Sequence, residues 1–90
     1  MKVFYFEPDW WVAKDLEDAV DLIYHEVGHT KEEVRDNIDA LDDSQLRNLD
    51  YYPDHESMPN FTITFKERLD QLLQKDENYT GILATELSAL

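Results

Sequence analysis

The sequence predicts an α+β fold: a small antiparallel sheet, built from an N-terminal hairpin plus one or two short strands, packed with three or four helices. Three observations carry this. Residues 2–6, KVFYF, are the β-branched and aromatic run of a strand. Thr30-Lys31-Glu32-Glu33 and Thr64-Phe65-Lys66-Glu67 are capping boxes, each with Glu three residues after Thr. Apolar residues then recur at helical spacing beside these signals. Ninety residues leave little room for a second core, so one domain over 1–90 is expected.

Taken in order, Glu7-Pro8-Asp9 is a turn signal, and Trp10 to Ala13 can return as the second strand of a hairpin. Trp10 and Trp11 then point to opposite faces, so at most one is easily buried by that sheet. The other either packs under a helix or is exposed for a partner. Asp15 is placed to cap a first helix, whose Leu16, Ala19, Val20, Ile23 and Val27 form a buried stripe. Gly28 follows as its left-handed C-cap.

A second helix is expected from about Lys31, with Val34, Ile38 and Leu41 as its apolar stripe. Asp42 or Asp43 can cap a third, short turn carrying Leu46 and Leu49. Tyr51-Tyr52-Pro53 ends it, and Asp54 to Asn60 reads as a polar loop. Phe61 to Ile63 is a short strand candidate. The second capping box opens a helix to about Lys75, with Phe65, Leu69, Leu72 and Leu73 facing in. Gly81 to Thr85 reads either as an edge strand or as a helical turn.

Charge is the strongest global property. The chain has 21 Asp and Glu against 8 Lys and Arg, a net charge of −13. Residues 15–56 hold 14 of those acids and three bases, −11, and the remaining residues hold 7 acids and 5 bases, −2. One continuous segment therefore carries the excess. Such a field repels nucleic acid and membrane surfaces and attracts basic partners. With no cysteine, there is no disulfide, thiolate metal site or thiol catalysis. No apolar run approaches the roughly 20 residues of a membrane span, and MKVFYFEPDWW lacks the pattern of a signal peptide. A soluble, intracellular protein is expected.

Two motifs invite catalytic or metal-binding readings. His25-Glu26-Val27-Gly28-His29 matches H-E-x-x-H, the zinc signature of metalloproteases. That chemistry needs an uninterrupted helix, so that both imidazoles share one face, and a third ligand. A C-cap at Gly28 and a new helix capped by Thr30 break the helix instead, and the only other histidine is His55. Asp76, Asn78, Thr80 and Gly81 fall at positions 1, 3, 5 and 6 of an EF-hand loop, but position 12 is Leu87, with Glu86 one residue early. Glycine-rich phosphate loops and a nucleophile elbow are absent. No enzymatic activity, cofactor or bound metal is expected.

The most specific constellation is acidic. Glu32, Asp36, Asp39 and Asp43 are spaced by four, three and four residues, which on one continuous helix places them together, opposite the apolar stripe. Neighbours at that spacing lie about 5–6 Å apart between Cβ atoms, comparable to the run of phosphates along a nucleic-acid strand. Like charges so placed destabilise a helix by about 0.2–0.5 kcal/mol a pair, and no lysine is interleaved to relieve them. Asp42 and Asp50 extend the set. Asp15, Asp18, Asp21 and Glu26 add acid to the first helix. Trp10, Trp11, Tyr51 and Tyr52 are candidate anchors at its edge.

The stretches "WVAKDLEDAVDLIYHEVGHTKEEV", "DDSQLRNLDYY" and "TFKERLDQLLQKDENYTGILATEL" resemble small acidic proteins encoded by phages and prophages. These include anti-CRISPR and anti-restriction proteins, several of which look like DNA mimics. The resemblance implies the cytoplasm of a bacterial host. It also implies a basic nucleic-acid-binding partner, a CRISPR effector or restriction nuclease, bound at its nucleic-acid surface. A small acidic interaction module with a basic non-nuclease partner is the competing expectation, and a zinc hydrolase the third.

Overall fold

In the computed structural model, residues 1–51 and 62–85 are described. Strands β1 (Lys2–Phe6) and β2 (Asp9–Ala13) form the expected hairpin, with Phe4 opposite Trp11 and a cis Glu7–Pro8 bond in the turn. Helices α1 (Leu16–Val27) and α2 (Lys31–Asn37) follow, then β3 (Asp39–Leu41) and α3 (Asp43–Asn48). Beyond them lie β4 (Asp50–Tyr51), β5 (Ile63–Thr64), α4 (Phe65–Lys75) and β6 (Gly81–Thr85). The main sheet is antiparallel, in the order β3-β1-β2-β6; β4 and β5 pair as a separate two-stranded sheet.

Strand alternation decides how the layers form. Phe4, Phe6, Trp11 and Ala13 face one way and pack against α1 and α2 through Ala19, Val20, Ile23 and Val34. Val3 and Val12 face the other way, against Leu46 of α3 and Phe65 and Leu69 of α4. Helices therefore cover both faces, and this short hairpin buries residues that point in both directions. Trp11 is 3% exposed on the α1 side. Trp10 packs on the opposite side, its ring 5.0 Å from Phe65 at 81° and 4.7 Å from its cross-strand partner Tyr5.

Local chemistry sets the helix ends. The Asp15 carboxylate accepts from the Asp18 N–H, and Gly28 closes α1 at φ 76°, its N–H donating to the Tyr24 carbonyl. Thr30 accepts from the Glu33 N–H, Asp42 from Gln45 and Thr64 from Glu67; the last two are reciprocal capping boxes. The Phe65 N–H also donates to the Leu49 carbonyl at 2.8 Å, tying α4 to the end of α3. Edge strand β6 bends at a register shift opposite Trp10 and Trp11. Its Ile82 carbonyl accepts from the Tyr79 hydroxyl at 2.7 Å.

Four details correct the sequence reading. The second helix stops at Asn37, not beyond Leu41. Ile38 is extended (ψ 139°), and 39–41 pair with β1 as an edge strand. Ile38 and Leu41 consequently pack on opposite sides of the sheet, Ile38 toward α1 and Leu41 toward α3 and α4. Leu16, at the start of α1, is 42% exposed. Tyr51, expected at the end of the third helical turn, instead forms strand β4 with Asp50. Tyr52, the loop at 54–60, His55, Phe61, Glu86 and Leu87 lie outside the described residues.

Candidate acidic interface

α2 sorts its charges by position around the helix. Val34 is fully buried. Flanking it on one side, Lys31 reaches Asp21 of α1 (Nζ to Oδ1, 2.9 Å) and Arg35 reaches Glu17 (Nη2 to Oε2, 3.0 Å). At 100° per residue, Glu32 and Asp36 fall opposite Val34 and face solvent. Among the described residues neither carboxylate takes part in an ion pair or hydrogen bond. The hydrogen bond from Lys31, and then its charge, hold the Asp21 carboxyl below its usual range.

The other predicted carboxylates do not continue that row. Asp39 is exposed on edge strand β3, opposite Tyr5, and among the described residues its carboxylate has no partner. Its side chain lies on the sheet face away from α2, because strand alternation replaces the helical turn assumed from sequence. Asp43 opens α3, where Arg47 donates to it at 2.6 Å; this hydrogen bond holds its carboxyl below the usual range. Asp42 is committed to capping α3 through the Gln45 N–H at 2.8 Å. Asp50 is exposed on β4. The single-helix ridge of Glu32, Asp36, Asp39 and Asp43 is thus replaced. The carboxylates are strung along the chain from α2, over the edge strand, to α3.

Of the aromatic anchors, Trp11 is core and unavailable to a partner. Trp10 is half-buried against Phe65, and Tyr51 carries the Arg68 guanidinium 4.9 Å from its ring centroid.

The H-E-x-x-H residues are not brought together as ligands. α1 ends at Val27 and Gly28 turns the chain, while His29 Nδ1 lies 3.1 Å from Glu33 Oε2 beyond the break. Among the described residues no group of three His, Asp or Glu is arranged to hold a metal ion. At the EF-hand-like stretch, Asp76 accepts from the Asn78 N–H, and Gly81 starts β6 where the loop would have to continue.

Sequence reasoning missed a cleft of about 430 Å³ at the end of β1, lined by Tyr5, Phe6, Glu7, His29, Glu33 and Asn37. Its walls come from separate elements, so no local sequence signal marks it. No described helix is long and apolar enough to cross a membrane.

These features define an acidic α+β domain with a three-layer core, whose exposed and unpaired carboxylates include Glu32 and Asp36 on the outer face of α2 and Asp39 on edge strand β3. No protein family, curated protein or solved structure matches the chain.

Proposed function

We propose that this chain is a non-enzymatic inhibitor, of the kind phages encode. In this reading it covers the nucleic-acid-binding surface of a host defence nuclease or CRISPR complex with its acidic band. One observation carries the proposal. Five of the eight Lys and Arg residues, at 14, 31, 35, 47 and 66, are held in ion pairs with Asp or Glu, while Glu32, Asp36 and Asp39 are exposed without counter-charges among the described residues. With those bases engaged, the three carboxylates stand along the passage from α2 to β3 without local cancellation. A basic groove that normally holds phosphates complements them, and the encounter is steered and salt-sensitive.

The corrected geometry narrows the binding set to Glu32, Asp36 and Asp39. Asp43, Asp42 and Asp50 become lesser contributors, the first two because Arg47 and the α3 cap already use them. Neutralising the three, as Glu32→Gln, Asp36→Asn and Asp39→Asn together, is expected to abolish partner binding with the far-ultraviolet circular dichroism unchanged. Retained affinity in the folded triple variant would sink the proposal.

One observation favours a second reading, an acidic module for a basic non-nuclease partner. The regular i, i+4 spacing ends at Asp36, so the carboxylates do not reproduce an extended phosphate row. Duplex DNA competes with a mimic and leaves such a module bound.

A further inference from the structure

The cleft at the end of β1 exists because two elements stop at different places. β3 pairs with β1 only as far as Asp39 opposite Tyr5. β1 continues to Phe6, and Glu7 follows in the turn. The space left beside them is walled by His29 and by Glu33 and Asn37, one turn apart on α2. Its volume, about 430 Å³, lies within the range of about 300–1,000 Å³ usual for ligand sites.

Its chemistry is selective. The Glu33 carboxylate is positioned through one oxygen, Oε2, by His29 at 3.1 Å, and the Glu33 carbonyl accepts from Asn37 Nδ2 at 2.8 Å. Oε1 has no partner among the described residues, nor does the Glu7 carboxylate. His29 is the only basic group in the lining, and its ring meets Phe6 edge-on at 5.8 Å. The cleft therefore sets two carboxylates beside the mostly buried ring of Phe6.

We propose that this cleft receives an arginine side chain from the protein partner. A guanidinium is planar and donates in a fork that matches a carboxylate. A lysine ammonium supplies charge without that shape, and an anion is repelled by both glutamates. The inference rests on the partner being a basic protein, and adds the residue type that enters this cleft.

Titrating the full chain with N-acetyl-arginine amide, followed by NMR, tests it. Saturable shifts of the His29 ring and Asn37 side-chain signals are expected, larger than those from N-acetyl-lysine amide. Binding should weaken about tenfold in Glu33→Gln and in Glu7→Gln, as loss of one charge-assisted hydrogen bond implies; Asp70→Asn should leave it unchanged. No shift at His29 and Asn37, or equal shifts from both amides, overturns the proposal. The two glutamates lie in different elements, so a folding defect in one variant leaves the other as the test. Failure here is separable from failure of the proposed function: the Glu32, Asp36 and Asp39 triple variant should lose the partner yet keep the arginine-probe shifts.

Discussion

Arg47 Nε stands 2.6 Å from Asp43 Oδ2, one helical turn away on α3. This contact removes from the acidic band a carboxylate whose spacing alone had placed it there. Asp43→Asn is therefore expected to change partner binding much less than Glu32→Gln or Asp36→Asn, measured by titration calorimetry against the captured partner.

The same contact makes a pH prediction. The hydrogen bond from Arg47 lowers the folded-state pKa of Asp43 from its ordinary 3.8. The pair's contribution is thus fully present above the unfolded value and is lost as pH falls through the lower folded value. A carbon-detected NMR titration should show the Asp43 carboxyl protonating below pH 3.8. In Arg47→Gln the titration should move back up toward that value. An unmoved midpoint would contradict the assignment.

Trp11 bears on stability. Its side chain is buried between the hairpin and α1, and its Nε1–H has no acceptor among the described residues. Trp11→Ala should cost about 3–5 kcal/mol, a large share of the roughly 5–15 kcal/mol that holds a small domain. Trp11→Phe should cost clearly less, because deleting an unsatisfied donor recovers about 1–3 kcal/mol against the lost ring volume. Urea denaturation of the two variants decides it. Equal losses would show that the indole N–H is satisfied in solution.

Gly28 separates the two histidines of the zinc-like motif. Among the described residues, nothing beyond the adjoining chain lies within 4 Å of where a Cβ would stand, so the cost of Gly28→Ala is conformational. It should be about 1–2 kcal/mol, the penalty of a left-handed residue with a side chain. Zinc titration of the unaltered chain should reveal no tight stoichiometric site. One equivalent lost on His25→Ala and on His29→Ala would restore the hydrolase reading.

What the sequence made legible was local. Asp15, Gly28, Thr30, Asp42 and Thr64 each mark a helix end through a hydrogen bond or dihedral within a few residues. KVFYF and its return strand alternate as a hairpin must. The end of α2 was not legible, because no Gly or Pro follows Asn37. Ile38 and Leu41 fit helical spacing as well as a strand. What decides for the strand is pairing with β1, some 35 residues earlier in the chain, which places Ala40 opposite Phe4. The candidate site inherited that error: Glu32 and Asp36 survive as a pair, Asp39 moves to a sheet edge and Asp43 is neutralised. The cleft depends on the same nonlocal pairing and left no local trace.

The central claim, that the acidic band occupies a nucleic-acid surface, is tested most directly by competition. The tagged protein would be used to capture partners from bacterial lysate, with and without excess duplex DNA, beside the Glu32, Asp36 and Asp39 triple variant. The account predicts a nucleic-acid-handling protein that the unaltered chain retains, DNA displaces and the triple variant fails to hold. Capture that DNA does not displace, or that the triple variant retains, would contradict it.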